Sequence, residues 1–255
     1  MRLPALVMVT VTFAASCSSR HEPRAADPPV RAAGSAVVFD AAVARSDATS
    51  VKRHMREHFA AASELERAIA RGHLDEARDR ARWLLDNVEP LLDGWQPFVD
   101  ELHAAARDVI TAPDLPTAAA LAARVGRACS RCHEATNAVV SFAWEPVLDD
   151  GPTLQVQMKR HQWAAARLWE GLVGPSDEMW NEGTSLLAVA KLDALLATSG
   201  TPRGDTAALA DKIRELSQRA GKVTDHDERA ALYRELLSTC AGCHQLVRPA
   251  PVPGR

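Results

Sequence analysis

Two pentapeptides limit this chain more than any other feature. Cys129-Ser130-Arg131-Cys132-His133 and Cys240-Ala241-Gly242-Cys243-His244 share the pattern C-x-x-C-H and lie 111 residues apart in a chain of 255. A second correspondence runs alongside them. Met55-Arg56-Glu57-His58 recurs 103 residues later as Met158-Lys159-Arg160-His161. Leu65 and Ile69 are answered by Leu168 and Leu172, and Asp75-Glu76 by Asp177-Glu178. Leu121-x3-Val125-x3-Cys129 parallels Leu232-x3-Leu236-x3-Cys240. A repeat of this length means two copies of one unit, over 47–145 and 150–248. The joint falls in SFAWEPVLDDGP, where Pro146 and Gly151-Pro152 break any helix.

Each unit has room for four helices. Apolar residues recur at helical spacing, and no run alternates as a strand does. Aromatic residues make up only 5%, and alanine runs are frequent, which favours helix over sheet. Breakers at Gly72, Pro90 to Gly94, Pro113 to Pro116, Gly174-Pro175, Gly200 to Gly204 and Gly221 divide the chain. They predict helices over 48–71, 73–90, 93–111 and 114–135, then 153–173, 176–198, 204–220 and 225–247. Thr224-Asp225-His226-Asp227 has the form of an acidic N-cap for the last of these. The expectation is an all-α protein of two tandem four-helix bundles, each with its C-x-x-C-H motif in the last helix.

C-x-x-C-H is the attachment signature of c-type haem. Residues three apart on a helix face one side, so both sulfurs reach one edge of a porphyrin. The histidine that follows then lies under the ring and takes the iron. Cys129, Cys132, Cys240 and Cys243 are thus the expected thioether residues, and His133 and His244 the expected proximal iron ligands. Zinc would need two further ligands per site from a small stock, and disulfide pairs would leave the two histidines unexplained. Two covalently attached c-type haems are the expected cofactors.

The N-terminus agrees with this. MRLPALVMVTVTFAAS has a basic residue, a short apolar run and small residues, the form of a secretory signal over 1–17. Covalent haem attachment in bacteria takes place outside the cytoplasm. Cys17 follows Ala14-Ala15-Ser16 as in a bacterial lipoprotein, so Cys17 is the expected lipidation site. Residues 18–46, rich in Pro, Ala and Arg, read as a disordered tether. The expected location is the periplasm or outer cell envelope, held to a membrane by a lipid anchor alone. A net charge of −3 gives no reason to expect nucleic acid as a partner.

A four-helix unit with C-x-x-C-H in its last helix resembles cytochrome c′ and its low-spin relatives, the class II c-type cytochromes. The resemblance covers most of 47–248, once per half. Class I cytochromes place the motif near the N-terminus and take a methionine from downstream; here no Met follows Met179. The resemblance implies that the first helix of each unit covers the distal face of its haem. Met55 with His58, and Met158 with His161, stand there at i, i+3, on one helix face. His58 and His161 are the favoured distal ligands, with Met55 and Met158 as the alternative. Phe59 and Trp163 would add apolar cover. A five-coordinate iron is the third option. His54, His73, His103 and His226 have no counterpart in the other half and read as solvated or capping residues. The six Trp read as core. The expected function is single-electron transfer between redox proteins of the cell envelope, by a carrier and not an enzyme. The alternative is a dihaem sensor or scavenger of NO or CO. A dihaem peroxidase is disfavoured, since those enzymes are larger and of class I fold.

Overall fold

Capping and turn chemistry, read along the chain, divide it into helices at the places where the side chains allow it. The computed structural model describes residues 41–87, 94–143, 145–190, 192 and 203–247. Among these are α1 (Ala41–Ala70), α2 (Leu74–Asp86), α3 (Gln96–Thr111), α4 (Leu115–Thr136), α5 (Leu154–Val173), α6 (Asp177–Ala188), α7 (Arg203–Ala220) and α8 (His226–Val247). No strand occurs among the described residues, so the fold is all-α. The expected signal segment and Cys17 lie outside the described residues. Residues 41–46, expected to belong to a tether, are helical, because α1 begins at Ala41, and the rest of that segment lies outside the described residues.

Two helix ends differ from expectation for local reasons. α2 stops at Asp86, not at 90, because Asn87 leaves helical geometry, at φ −104° and ψ 83°. Its backbone N–H and its Nδ2 both donate to the Trp83 carbonyl, at 3.1 and 2.8 Å. The helix expected over 176–198 is interrupted after Ala188, where the Val189 and Ala190 N–H groups close onto Leu186 and Leu187. Helix starts follow the N-cap rule, in which a short polar side chain accepts an otherwise unpaired N–H. Asp114, Thr153, Ser176 and Asp225 do this for α4, α5, α6 and α8.

The ends of α1 and α5 share one design. In α1 the His73 N–H reaches back to the Ala68 carbonyl at 2.8 Å, and Gly72, at φ +81°, makes the left-handed turn. In α5 the Ser176 N–H reaches back to the Gly171 carbonyl at 3.1 Å. Pro175 stands at the position of Gly72, yet the five-residue bond is kept. Within these two closing motifs Ala70 and Val173 hold the same place, and their carbonyls point past the helix end.

α1 packs on α2, α2 on α3, α3 on α4, and α4 returns to α1. The same circuit links α5, α6, α7 and α8, with α8 returning to α5. α4 also lies against α8, α1 against α8, and α4 against α5. One buried core therefore runs through both circuits, from Leu65 and Ile69 to Leu168, Leu172 and Leu236. Its many buried alanines keep the helix axes close. Trp169 fills the centre. Its Nε1 donates to Ser63 Oγ on α1 at 3.1 Å, and its ring lies 5.6 Å from that of Tyr233 on α8. On α4 it rests on Gly126, where a Cβ would stand 2.8 Å from the Trp169 ring edge. Only glycine leaves this approach open. Arg127 adds a polar clasp between α4 and α8, its Nε 2.6 Å from Asp227. No helix among the described residues is long and apolar enough to cross a membrane.

Candidate metal centres

The two C-x-x-C-H motifs occupy the last turns of α4 and α8. In each, the cysteines lie one helical turn apart and the histidine follows on the next position. All four cysteines and both histidines are partly buried. Burial pushes the Cys240 thiol up to about 12, helped by the nearby Glu66 carboxylate, and burial raises Cys243 as well. Both thiols are therefore protonated at neutral pH.

The two motif histidines make matching bonds. His133 Nδ1 lies 2.8 Å from the Val173 carbonyl of α5, and His244 Nδ1 lies 2.5 Å from the Ala70 carbonyl of α1. A carbonyl oxygen only accepts, so Nδ1 carries the proton in both and donates it. The lone pair is then on Nε2, the nitrogen left to bind a metal. Burial lowers the pKa of both imidazoles, against the opposing pull of these carbonyl bonds. Both are thus neutral at pH 7, as ligation requires.

The distal candidates fall into two different settings. His161 on α5 is buried, and its Nδ1 has no hydrogen-bond partner among the described residues. Burial, with repulsion from His244 as the smaller cause, lowers its pKa to about 4, so His161 lies within electrostatic reach of His244. A buried imidazole nitrogen without a partner is costly and calls for one. Met158 does not share this place. It packs with Leu192, Ala210, Leu154 and Ala190 in a small satellite core.

His58 on α1 is equally buried but engaged. Its Nε2 donates to the Asn87 carbonyl at 2.9 Å, and its ring sits 4.3 Å from His54 and 5.5 Å, edge-on, from Trp83. Metal ligation through this nitrogen requires the Asn87 bond to be given up. Met55 beside it is half-buried. Phe59 turns to Phe142 of the inter-unit segment, at 4.9 Å, and packs with Trp163 against the core.

Of the four histidines expected to be solvated or capping, His73 and His226 stand at helix starts, whereas His54 and His103 are half-buried within α1 and α3. His73 precedes α2 and pairs with Glu76 at 2.8 Å, and His226 opens α8 and pairs with Glu134. Among the tryptophans, Trp169 and Trp180 are buried, Trp83, Trp95 and Trp163 are half-buried, and Trp144 lies outside the described residues.

Sequence reasoning passed over Ser63, Glu66, Asn87 and Tyr233. Glu66 is buried on α1 and accepts the Tyr233 hydroxyl at 2.8 Å. A signal existed: Glu66 lies among Ala62, Leu65 and Ile69, on the apolar stripe of α1. Two open clefts, of about 420 and 490 Å³, lie between α7 and α8 and between α3 and α4. Neither is lined by a candidate iron ligand. Among the described residues no three of His, Cys, Asp or Glu converge on one point as an all-protein metal site would need. Set against protein-family models, curated proteins and solved structures, the chain has no match.

Proposed function

We propose that the chain is an exported dihaem c-type cytochrome, built as two tandem four-helix bundles, that passes single electrons between redox proteins of the cell envelope. Cys17 would anchor it by a lipid. One observation carries the reading: C-x-x-C-H stands at equivalent places in two helices, and each motif histidine has its Nδ1 committed to a backbone carbonyl. That leaves one Nε2 per motif for an iron. A porphyrin-bound iron asks the protein for only one or two ligands, and among the described residues no three His, Cys, Asp or Glu side chains converge.

Each cysteine would add its S–H across a vinyl group, forming a thioether with no oxidant consumed. The protonated thiols of Cys240 and Cys243 suit this addition. A bound haem supplies one-electron iron chemistry. The chain's part would be to hold His133 and His244 neutral and oriented, to keep the buried His161 within electrostatic reach of His244, and to exclude water with the Trp169-centred core.

The first site favours a second reading for its own iron. His58 Nε2 is held by Asn87, which supports an open distal position and binding of a diatomic gas there. CO titration of the reduced protein tests both. The carrier reading expects a low-spin spectrum with the second haem inert to CO. Binding at the first haem alone supports gas binding there, whereas immediate binding at both haems overturns the carrier reading.

A further inference from the structure

The two motif histidines do not lean on their own repeats. His244, in the second repeat, donates to Ala70 at the end of the first repeat's α1. His133, in the first, donates to Val173 at the end of the second repeat's α5. Ala70 and Val173 are separated by the same 103 residues that separate His58 from His161. Both hold the same place in their helix-closing motifs. In α1 that motif uses the Ala68 and Ile69 carbonyls, and in α5 the Gly171 carbonyl, leaving the Ala70 and Val173 oxygens beyond the helical ladder. Such an oxygen at a helix C-terminus carries negative partial charge and is a strong acceptor for an imidazole N–H. The exchange is therefore reciprocal: the two repeats meet as a homodimer would, about a pseudo-two-fold axis.

We infer that each haem is oriented and tuned by the other repeat, through the end of that repeat's first helix. The inference rests on the haem reading above. An N–H bond on the far side of a ligating histidine fixes its tautomer and ring plane and raises its basicity. Greater basicity favours the oxidised iron and lowers its potential. The Ala70 carbonyl would thus set the potential of the second haem, and the Val173 carbonyl that of the first.

Gly72→Val tests this in the full chain. At φ +81° a β-branched residue is strained, so the turn must rearrange and carry the Ala70 carbonyl with it. A Cβ at this position meets only ordinary contacts, 3.5 Å from Gln245 and 3.7 Å from Leu115, so Gly72→Ala, which adds that atom alone, is expected to give a shift in the same direction when the backbone is its cause. Haem content is measured first; absence of covalent haem in the wild type defeats the haem reading and this inference with it, whereas an unshifted second haem defeats this inference alone. With both haems present, the variant is expected to shift the midpoint potential of the second haem and leave the first in place. The double variants C129S/C132S and C240S/C243S assign the two potentials. A shift confined to the first haem, or no shift, overturns the inference. Should the variant not fold, NMR of the reduced, CO-saturated wild type decides. Magnetisation transfer is expected from the His244 Nδ1–H to Ala70 and Arg71, and from the His133 Nδ1–H to Val173 and Gly174. Contacts of either proton within its own repeat instead would overturn it.

Discussion

On the proposed dihaem reading, His161→Ala is expected to open the second iron and no other. The variant should change the reduced spectrum of that haem from low-spin to high-spin, and CO binding at the second site should rise from near zero to about one per chain. His161 is buried, its Nδ1 has no partner among the described residues, and it sits within electrostatic reach of His244. A buried imidazole in that state calls for a partner, and a bond to iron would supply one. The half-buried Met158 offers no substitute, since it packs with Leu192 and Ala210. Met158→Ala is accordingly expected to leave the spectrum unchanged. Stopped-flow CO binding to the reduced protein reads both variants. If His161→Ala stays inert to CO while Met158→Ala does not, the ligand is the methionine.

Glu66→Gln should alter how stability depends on pH. Burial raises the Glu66 carboxyl from its ordinary 4.5 to about 7, partly offset by the Tyr233 hydrogen bond and by Arg67 and Arg71. A carboxyl raised in the folded state favours folding below the unfolded pKa. That stability is lost as pH rises through the folded pKa. The loss runs from about pH 4.5 to just above pH 7 and amounts to roughly 3 kcal/mol. Glutamine keeps an acceptor for the Tyr233 hydroxyl and carries no charge to desolvate. The variant should therefore match the wild type near pH 4 and exceed it by roughly 2–3 kcal/mol at pH 8.5, seen as a higher Tm. Glu170 is raised to about 7 by burial too and keeps a residual slope in both proteins. Equal slopes in variant and wild type would show that Glu66 does not titrate in this window.

The helices were legible because their signals are local. Gly72, Gly174-Pro175 and Gly221 act within one turn, and Asp114, Thr153, Ser176 and Asp225 cap helices whatever lies beyond them. The burial of His161 is in keeping with its place on the apolar face of α5. What periodicity could not carry is which helix meets which. The acceptors of His133 and His244 are backbone carbonyls in the other half, and a backbone atom leaves no mark on residue type. Gly126 in a helix reads only as a weak position until Trp169 is set against it. The Asn87 bond to His58 depends on where α2 ends, the least predictable feature of a helix. Repeat symmetry suggested two equal distal sites, and the difference between His58 and His161 comes from that one helix end.

The proposed function requires a haem held covalently at Cys129/Cys132 and another at Cys240/Cys243. The most direct measurement is the mass and pyridine haemochrome of the exported protein after denaturation, compared with C129S/C132S and C240S/C243S. Two haems per chain in the wild type, and one in each double variant, is the expected result. A denatured wild-type chain with no covalently bound haem would contradict it.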